Sequence, residues 1–335
     1  MATTTPLLAI RDLRVQVQTA EQPADVLRGV SLDVAPGEIV GVVGESGSGK
    51  TLTALSVLRL LPPALRVTAG AITFGGDNLL TLGLRPLQAL RGSKIAMIFQ
   101  DPLSHLNPVF TIGQQLEAVV RVHSPRGDSG SEIRRRAVEL LASVHIADPE
   151  RRLQSYPHQF SGGMAQRVMI AMALSGSPSL LIADEPTASL DVTVQAEILR
   201  LLRSIARERN MAVLFISHNL AAVWQLCDRV CVMYAGQVVE VSPAHALVEQ
   251  PAHPYSRALL AALPKLALER TLLASIPGMV PPAGHFPRGC AFHPRCPLAQ
   301  SSCRAAPPPM VVMQPERAAR CIFAGQTQSV SGSAA

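Results

Sequence analysis

The sequence predicts an α/β protein in which helices surround a parallel β-sheet and a smaller antiparallel sheet stands at the N-terminus. Three observations support this fold class. Between residues 38 and 216, short apolar runs alternate with segments of helical periodicity, which is typical of parallel sheets with helical connections. Between residues 7 and 34, apolar and polar residues alternate with period two, as in half-buried antiparallel strands. A glycine-rich loop follows the first apolar run and precedes a helical segment.

The individual elements follow from these periodicities. Strands are predicted from short apolar runs at 38–43, 71–74, 94–99, 179–184 and 212–216. Helices are predicted at 50–61, 112–122, 131–146, 162–175, 192–208 and after Asn219. Pro102 and Pro108 disfavour regular structure, so residues 100–108 are predicted to form a loop.

A change in composition divides the chain at about residue 245, because proline becomes more frequent and the periodicity fades beyond it. We predict a main domain at 1–245 that contains a helical subdomain at about 101–165. A small, separate, cysteine-rich extension would occupy 246–325. The tail at 326–335 is expected to be disordered.

The composition limits the possible partners and locations. Aromatic residues make up only 4% of the 335 residues, so we expect no nucleic-acid partner. The formal net charge of +6 is moderate and suits a solvated surface as well as an anionic partner. The N-terminus lacks the regions of a signal peptide, and the uncharged run at 168–183 is too short to span a bilayer. The chain is therefore predicted to be cytosolic.

Residues 44–51 fit the phosphate-binding loop pattern, and they lie between an apolar strand and a helix, as this pattern requires. Glycines let the backbone wrap around phosphates. Lys50 is expected to reach the β- and γ-phosphates, and Thr51 to bind Mg²⁺. The predicted nucleotide-binding residues are Gly44, Glu45, Ser46, Gly47, Ser48, Gly49, Lys50 and Thr51.

An apolar strand that ends in Asp184 and Glu185 supplies candidate catalytic carboxylates. Asp184 is expected to hold the Mg²⁺, and Glu185 to polarise the water that attacks the γ-phosphate. Such a pair standing alone would be interpreted as solvated acids, but the phosphate-binding loop favours the catalytic role. Gln100 and His218 each follow another strand. The Gln100 amide is expected near the Mg²⁺ and the attacking water, and the His218 imidazole near the γ-phosphate.

A second group of small residues, Ser161-Gly162-Gly163, opens the helix at 162–175. Small residues at the start of a helix expose backbone N–H groups, which bind anions. The chain therefore carries two separate phosphate-binding surfaces. This arrangement suits an ATPase in which the nucleotide lies between two copies of the fold.

The order of these motifs, together with Ala188-Ser189-Leu190-Asp191, resembles that of ATP-binding-cassette (ABC) ATPases. Several stretches are similar, more narrowly, to the dipeptide/oligopeptide importer subfamily. They are residues 98–102, 106–108, 156–164, 183–187, 253–260 and 276–278. The resemblance covers nearly the whole chain. It implies a P-loop NTPase fold of the ATP-binding-cassette type, with ATP hydrolysis that drives import of di- or oligopeptides.

The resemblance also implies roles and partners. Ser161-Gly162-Gly163 would hold the γ-phosphate of ATP bound to the opposite subunit, and Asp191 would lie in the loop that communicates across the dimer. Gln100 would link nucleotide state to the membrane partner, and His218 would be the switch histidine. The implied partners are two transmembrane permease subunits, a second related ATPase subunit and, through the permeases, an extracytoplasmic substrate-binding protein. The chain would lie peripherally on the cytoplasmic face of the inner membrane.

Two positions depart from the subfamily pattern, and two alternative functions stay open. Val17 stands where members usually stack an aromatic ring on adenine, a contact worth about 1–3 kcal/mol by analogy with base–aromatic stacking. Ala165 stands where relatives often carry arginine. The solute of such an importer could instead be nickel, glutathione or another small molecule, or the chain could be a soluble ABC ATPase without a transport role.

Four of the six cysteines lie in the proline-rich extension, namely Cys290, Cys296, Cys303 and Cys321. In a reducing compartment cysteines indicate metal ligands or free thiols, and Cys227 and Cys231 are expected to be core thiols. Spacings of five, six and seventeen residues differ from the short knuckles of structural zinc. Four thiolates can hold a [4Fe–4S] cluster or zinc. The resemblance favours the cluster, because some relatives bind one at this pattern.

Overall fold

The computed structural model describes residues 5–19, 22–124, 128–262 and 275–324. Its strands are β1 (Leu8–Val17), β2 (Ala24–Val34), β3 (Ile39–Val43), β4 (Leu65–Phe74), β5 (Asp77–Asn78), β6 (Ile95–Ile98), β7 (Leu180–Asp184), β8 (Ala212–Ser217), β9 (Arg229–Tyr234), β10 (Gln237–Pro243), β11 (Val311–Gln314) and β12 (Arg317–Ala319). Its helices are α1 (Lys50–Val57), α2 (Leu84–Leu90), α3 (Pro102–His105), α4 (Ile112–His123), α5 (Gly130–Ser143), α6 (Pro149–Arg152), α7 (Gly162–Leu174), α8 (Val192–Glu208), α9 (Leu220–Leu226), α10 (Ala244–Glu249), α11 (Pro254–Ala261) and α12 (Ser301–Ala305).

The N-terminal strands form the predicted antiparallel sheet, in the order β2-β1-β4-β5. Strand β1 pairs with β2 on one side and with β4 on the other. The strand predicted at 71–74 is longer than expected and begins at Leu65, because it pairs along β1 as far as Val17. Backbone pairing therefore extends this strand beyond its apolar run.

The main sheet has the order β11-β12-β10-β9-β3-β8-β7-β6. Strands β9, β3, β8, β7 and β6 are parallel, as the alternation of strands and helices predicts. The carboxyl ends of parallel strands share one edge, where ligands of open α/β sheets bind. The motifs that follow β3, β6, β7 and β8 therefore meet at this edge.

The two faces of the main sheet are buried in different cores. Val40, Ile182 and Leu214 point into a core shared with the antiparallel sheet and α1. Ile39 and Leu181 point to the opposite side, into a core shared with α4, α5 and α7–α9. Such two-sided burial explains why the parallel strands are apolar throughout.

A helical region follows β6. The prediction of an irregular loop at 100–108 is wrong in part, because α3 lies within it. Asp101 caps this helix by accepting a hydrogen bond from the Leu103 N–H, and proline suits the first helical position. Thr111 and Ser129 form capping boxes that start α4 and α5. The boundaries proposed for the helical subdomain, 101–165, stay a prediction.

The cysteine-rich extension packs against the main domain, and the division of the chain into 1–245 and 246–325 stays a prediction. Strand β12 pairs with β10 through Glu240 and Ala319, so the extension completes one edge of the main sheet. Tyr255 and Phe292 are fully buried in the core on the helical side. The hydrophobic periodicity is weak after residue 245 because the helices and strands there are short. The folded structure itself continues beyond this residue. The predicted tail at 326–335 lies outside the described residues.

Among the described residues, no helix combines the length and the apolar character needed to cross a bilayer.

Candidate functional site

The phosphate-binding loop connects β3 to α1 and requires glycine at several positions. Gly49 has a φ of +98° and caps α1, and a Cβ there would overlap the Leu27 side chain. A Cβ at Gly44 would overlap the carbonyl oxygen of Met233. The loop therefore packs tightly against β2 and β9, which leaves no room for side chains at these two glycines. The backbone N–H groups at the start of α1 are available to bind an anion.

Lys50 is buried within this loop. Its ammonium group donates hydrogen bonds to the carbonyl oxygens of Gly44 (2.8 Å) and Glu45 (3.0 Å). Burial lowers the pKa of Lys50, and the negative charges of Glu185 and Asp184 oppose this effect. The loop thus holds a cation close to both carboxylates.

Asp184, at the end of β7, meets Thr51, at the start of α1. The Thr51 hydroxyl donates a hydrogen bond to Oδ1 of Asp184 over 3.2 Å. Burial raises the pKa of Asp184, and the Thr51 hydrogen bond counteracts this shift. A hydroxyl and a carboxylate side by side are hard oxygen ligands of the kind that Mg²⁺ prefers, so these residues fit the predicted metal site.

The Glu185 carboxylate contacts both of the other predicted catalytic residues, Gln100 and His218. The Gln100 amide donates to Oε2 of Glu185 over 3.2 Å, and Nδ1 of His218 lies 3.0 Å from the same oxygen. Glu185 has a φ of +47°, a left-handed conformation that costs a non-glycine residue about 1–3 kcal/mol. Strain of this kind is common at functional sites. Gln100 and His218 thus fix the position of the Glu185 carboxylate beside the phosphate-binding loop.

These residues line a cavity of about 700 Å³, within the usual range for small-molecule sites. The predicted residues on its wall are Ser46, Gly47, Gly49, Lys50, Thr51, Gln100, Glu185 and His218. Gly44, Ser48 and Asp184 are buried and do not line the cavity. The wall also includes Val26 and residues 280–283, which the sequence did not indicate as part of the site.

Glu45 differs from the rest of the loop. Its carboxylate does not line the cavity but accepts two hydrogen bonds from the Arg295 guanidinium, at 2.7 and 3.0 Å. Its N–H donates to the Tyr255 hydroxyl over 2.8 Å. The Glu45 side chain thus faces the extension, and the contact of Glu45 with nucleotide stays a prediction. Arg295 and Tyr255 lie in the extension, and only their place near the Cys290–Cys296 and 253–260 motifs could have drawn attention to them.

The second phosphate-binding motif lies apart from the cavity. Ser161 caps α7 by accepting a hydrogen bond from the Met164 N–H, and a Cβ on Gly163 would lie 2.5 Å from Val194. Asp191 caps α8 by accepting one from the Val194 N–H. The structure therefore brings Ser161-Gly162-Gly163 close to the start of α8, and none of these residues lines the cavity.

The cysteines fall into two groups. Cys227 and Cys231 are buried in the two cores on either side of the sheet, and burial raises the pKa of both. The other four line a second cavity with Phe292 and Phe323: Cys290, Cys296, Cys303 and Cys321. Burial raises the pKa of Cys296 to about 11. Within 5–19, 22–124, 128–262 and 275–324, no three cysteine, histidine or acidic residues are gathered as ligands of one ion.

Comparison with known proteins identifies the chain. The family model "ABC transporter" matches residues 27–188, and "Oligopeptide/dipeptide transporter, C-terminal region" matches residues 239–303. A protein of Brucella melitensis biotype 1, provisionally named a peptide import ATP-binding protein, is 48% identical over 95% of each chain. The dipeptide transport ATP-binding protein DppD of Escherichia coli K12 is 45% identical over 95% of this chain and 96% of its own.

A solved structure has the same architecture. It is the ATP-binding cassette MJ0796, described as dimeric, in a post-hydrolysis state and bound to ADP and Pi. It is 27% identical, with a TM-score of 0.64, and the similarity covers 71% of this chain and 98% of that one. The fold, the geometry of the loop and carboxylates, and these relatives together place the chain among the ATP-hydrolysing subunits of ABC transporters.

Proposed function

We propose that this chain is an ATPase subunit of a membrane importer for di- or oligopeptides. The observation that carries the proposal is the extension, which matches the C-terminal region of oligopeptide/dipeptide transporters at 239–303. This region is part of the same folded unit as the phosphate-binding loop, because Arg295 and Tyr255 bind Glu45. Relatives named for peptide or dipeptide transport match over 95% of the chain.

The residues around the first cavity suit hydrolysis of ATP. The N–H groups at the start of α1 and the Lys50 ammonium would bind the phosphates. Thr51 and Asp184 would hold Mg²⁺ with Gln100 nearby, and the metal would neutralise charge on the β- and γ-phosphates. Glu185 would accept a proton from the attacking water. Gln100 and His218, both bonded to Glu185, would orient this carboxylate.

The motif at Ser161-Gly162-Gly163, in which Ser161 is exposed, suits a second cassette. It lies outside the cavity of its own chain, which supports contact with phosphates in another subunit. The dimeric state of MJ0796 supports this arrangement. We infer that Ser161-Gly162-Gly163 and Asp191 face the nucleotide of a partner ATPase, which is a second, related subunit in a heterodimer.

The proposed partners follow from transport. Two transmembrane permease subunits would bind the dimer, and an extracytoplasmic substrate-binding protein would deliver peptide to them. The chain would then sit peripherally on the cytoplasmic face of the inner membrane. Closure of the dimer on ATP and its opening after hydrolysis would change the access of the permease.

Co-purification tests this function. The chain is tagged in its native cell, the membranes are solubilised gently, and uptake of labelled dipeptide is measured in cells with and without the gene. Two permeases, a related ATPase and lost uptake are expected. A partner set that transports nickel or glutathione would contradict the peptide assignment, and recovery only from the soluble fraction would contradict transport.

We propose further that Cys290, Cys296, Cys303 and Cys321 hold a [4Fe–4S] cluster. The cluster would bring redox-active iron to the extension. All four thiols face one cavity, which supports a shared ligand. Four thiolates can also hold zinc, which stays the alternative.

Anaerobic purification tests the cluster. Iron and sulfide in equal amounts with a visible absorption band are expected, and the substitution Cys296→Ser should reduce them. The control Cys231→Ala removes a core thiol outside the cavity and should keep the iron. Zinc in place of iron, or no metal, would contradict the proposal.

A further inference from the structure

The wall of the nucleotide cavity has a polar part and an apolar part. The phosphate-binding loop, Gln100, Glu185 and His218 supply hydrogen-bonding and charged groups. Val26 of β2 and residues 280–283 of the extension supply an apolar surface in the same cavity. ATP has the same division, because a charged triphosphate is joined to a flat base with apolar faces. Ligand sites typically match such a division.

We propose that Val280, Pro281, Pro282 and Ala283 form, with Val26, the surface that receives the base of ATP. The extension would then contribute directly to the nucleotide site, and its loop would set base affinity. This inference rests on the proposed use of the cavity for nucleotide.

The position of Val17 supports this assignment. Val17 lines neither the nucleotide cavity nor the neighbouring groove, whose wall includes Gln16, Thr19, residues 22–25, Arg28 and residues 283–287. Ala283 belongs to both walls, and the His285 N–H closes a turn by donating to the Pro282 carbonyl over 3.0 Å. A base inside the cavity would therefore contact this turn.

The apolar residues 280–283 belong to a segment that runs from Pro277 to Phe286. Arg295 anchors the start of this segment to the phosphate-binding loop. Its Nε donates to the Pro277 carbonyl over 2.7 Å, while its Nη atoms hold the Glu45 carboxylate. The Arg295 side chain is only 6% exposed. A buried, bidentate ion pair has a well-defined geometry, so the apolar surface keeps a fixed distance from the phosphates.

The other end of the segment is anchored to β2. The Arg28 guanidinium lies 4.0 Å from the centre of the Phe286 ring, in a cation–π contact. Gly284 has a φ of +82°, and a Cβ there would lie 3.1 Å from Cβ of Ala24. Two prolines between these anchors restrict the backbone further. A surface ordered in advance loses little entropy when a ligand binds.

The test compares two ligands that share phosphates but differ in the base. Binding of ATP and of inorganic tripolyphosphate, each with Mg²⁺, is measured by calorimetry on the full-length chain. The double substitution Pro281→Gly/Pro282→Gly should raise the Kd of ATP at least about fivefold. This is the fold-change that corresponds to the weakest base contact in the usual range of base–aromatic stacking. The Kd of tripolyphosphate should stay unchanged. Val280→Ser provides a milder variant with the same expected direction.

The control Lys50→Ala should weaken both ligands and so reports on the phosphate site alone. An unchanged ATP Kd in the segment variants would overturn the inference, and so would an equal loss for both ligands. A marked gain of ATP affinity in Val17→Phe would place the base at β1 and also overturn it. Wild-type chain that binds neither ligand would refute the nucleotide site itself, and the base surface with it.

Discussion

The two glycine-containing helix starts of this chain look alike in sequence and differ in their surroundings. The loop at 44–51 lies beside both carboxylates and is bound through Glu45 to the extension. The motif at Ser161-Gly162-Gly163 packs against Leu190 and Val194 near the start of α8, and Ser161 is exposed. One half of the catalytic site is therefore complete within the chain. We propose that the other half acts when a second subunit covers it.

The largest expected effect comes from Glu185→Gln. Loss of the general base should lower ATP turnover about 10²–10⁴-fold while ATP binding is kept, because the phosphate contacts of the loop are intact. Steady-state phosphate release and equilibrium ATP binding check this. Near-normal turnover would show that Glu185 does not activate the attacking water. The carboxylates beside the loop at 44–51 would then not distinguish it from the motif at Ser161-Gly162-Gly163.

Lys50→Ala should come next, with a loss of ATP affinity of about 10–100-fold, since a hydrogen bond to a charged group contributes about 1.5–3 kcal/mol. The effect should appear in the isolated chain, because Lys50 lies in its own cavity. Calorimetry with ATP and Mg²⁺ measures it. Lys94→Ala, a substitution outside the cavity, serves as the control, and equal losses in both variants would contradict the assignment.

Ser161→Ala should show that the two helix starts have different roles. We expect ATP turnover of the assembled importer to fall about tenfold, as for one lost hydrogen bond to a charged group. ATP binding to the isolated chain should not change, because Ser161 lies outside the cavity. The same two assays are compared. A loss of binding by the isolated chain would place Ser161 in its own nucleotide site and remove the distinction.

The smallest effect is expected for Asp191→Ala, which deletes the cap of α8. Loss of such a cap costs about 1 kcal/mol of the free energy of unfolding, or a few degrees in Tm. Asp191→Asn keeps a good capping residue and should restore Tm. If the asparagine variant restores stability but turnover of the importer stays low, the negative charge has a role at the dimer interface beyond capping.

Much of the site could be predicted because its motifs are local. Gly44 to Thr51, Asp184 and Glu185 stand where an apolar strand ends, and the edge of a parallel sheet gathers them without any further information. The confirmed antiparallel sheet likewise follows from a period of two. The one-turn helix α3 was missed, since a cap and a proline outweighed the loop signal at 100–108.

The class of protein, the phosphate-binding loop and the residues that Glu185 gathers are all encoded in short-range patterns, because such patterns mark strand ends and helix starts. Three features depend on the folded chain: the extension joins the main sheet through β12, Arg295 holds Glu45, and residues 280–283 face the nucleotide cavity. Edge-strand pairing uses backbone groups common to all residues, so the sequence does not mark its partner. An ion pair between distant positions likewise leaves no periodic trace in the sequence.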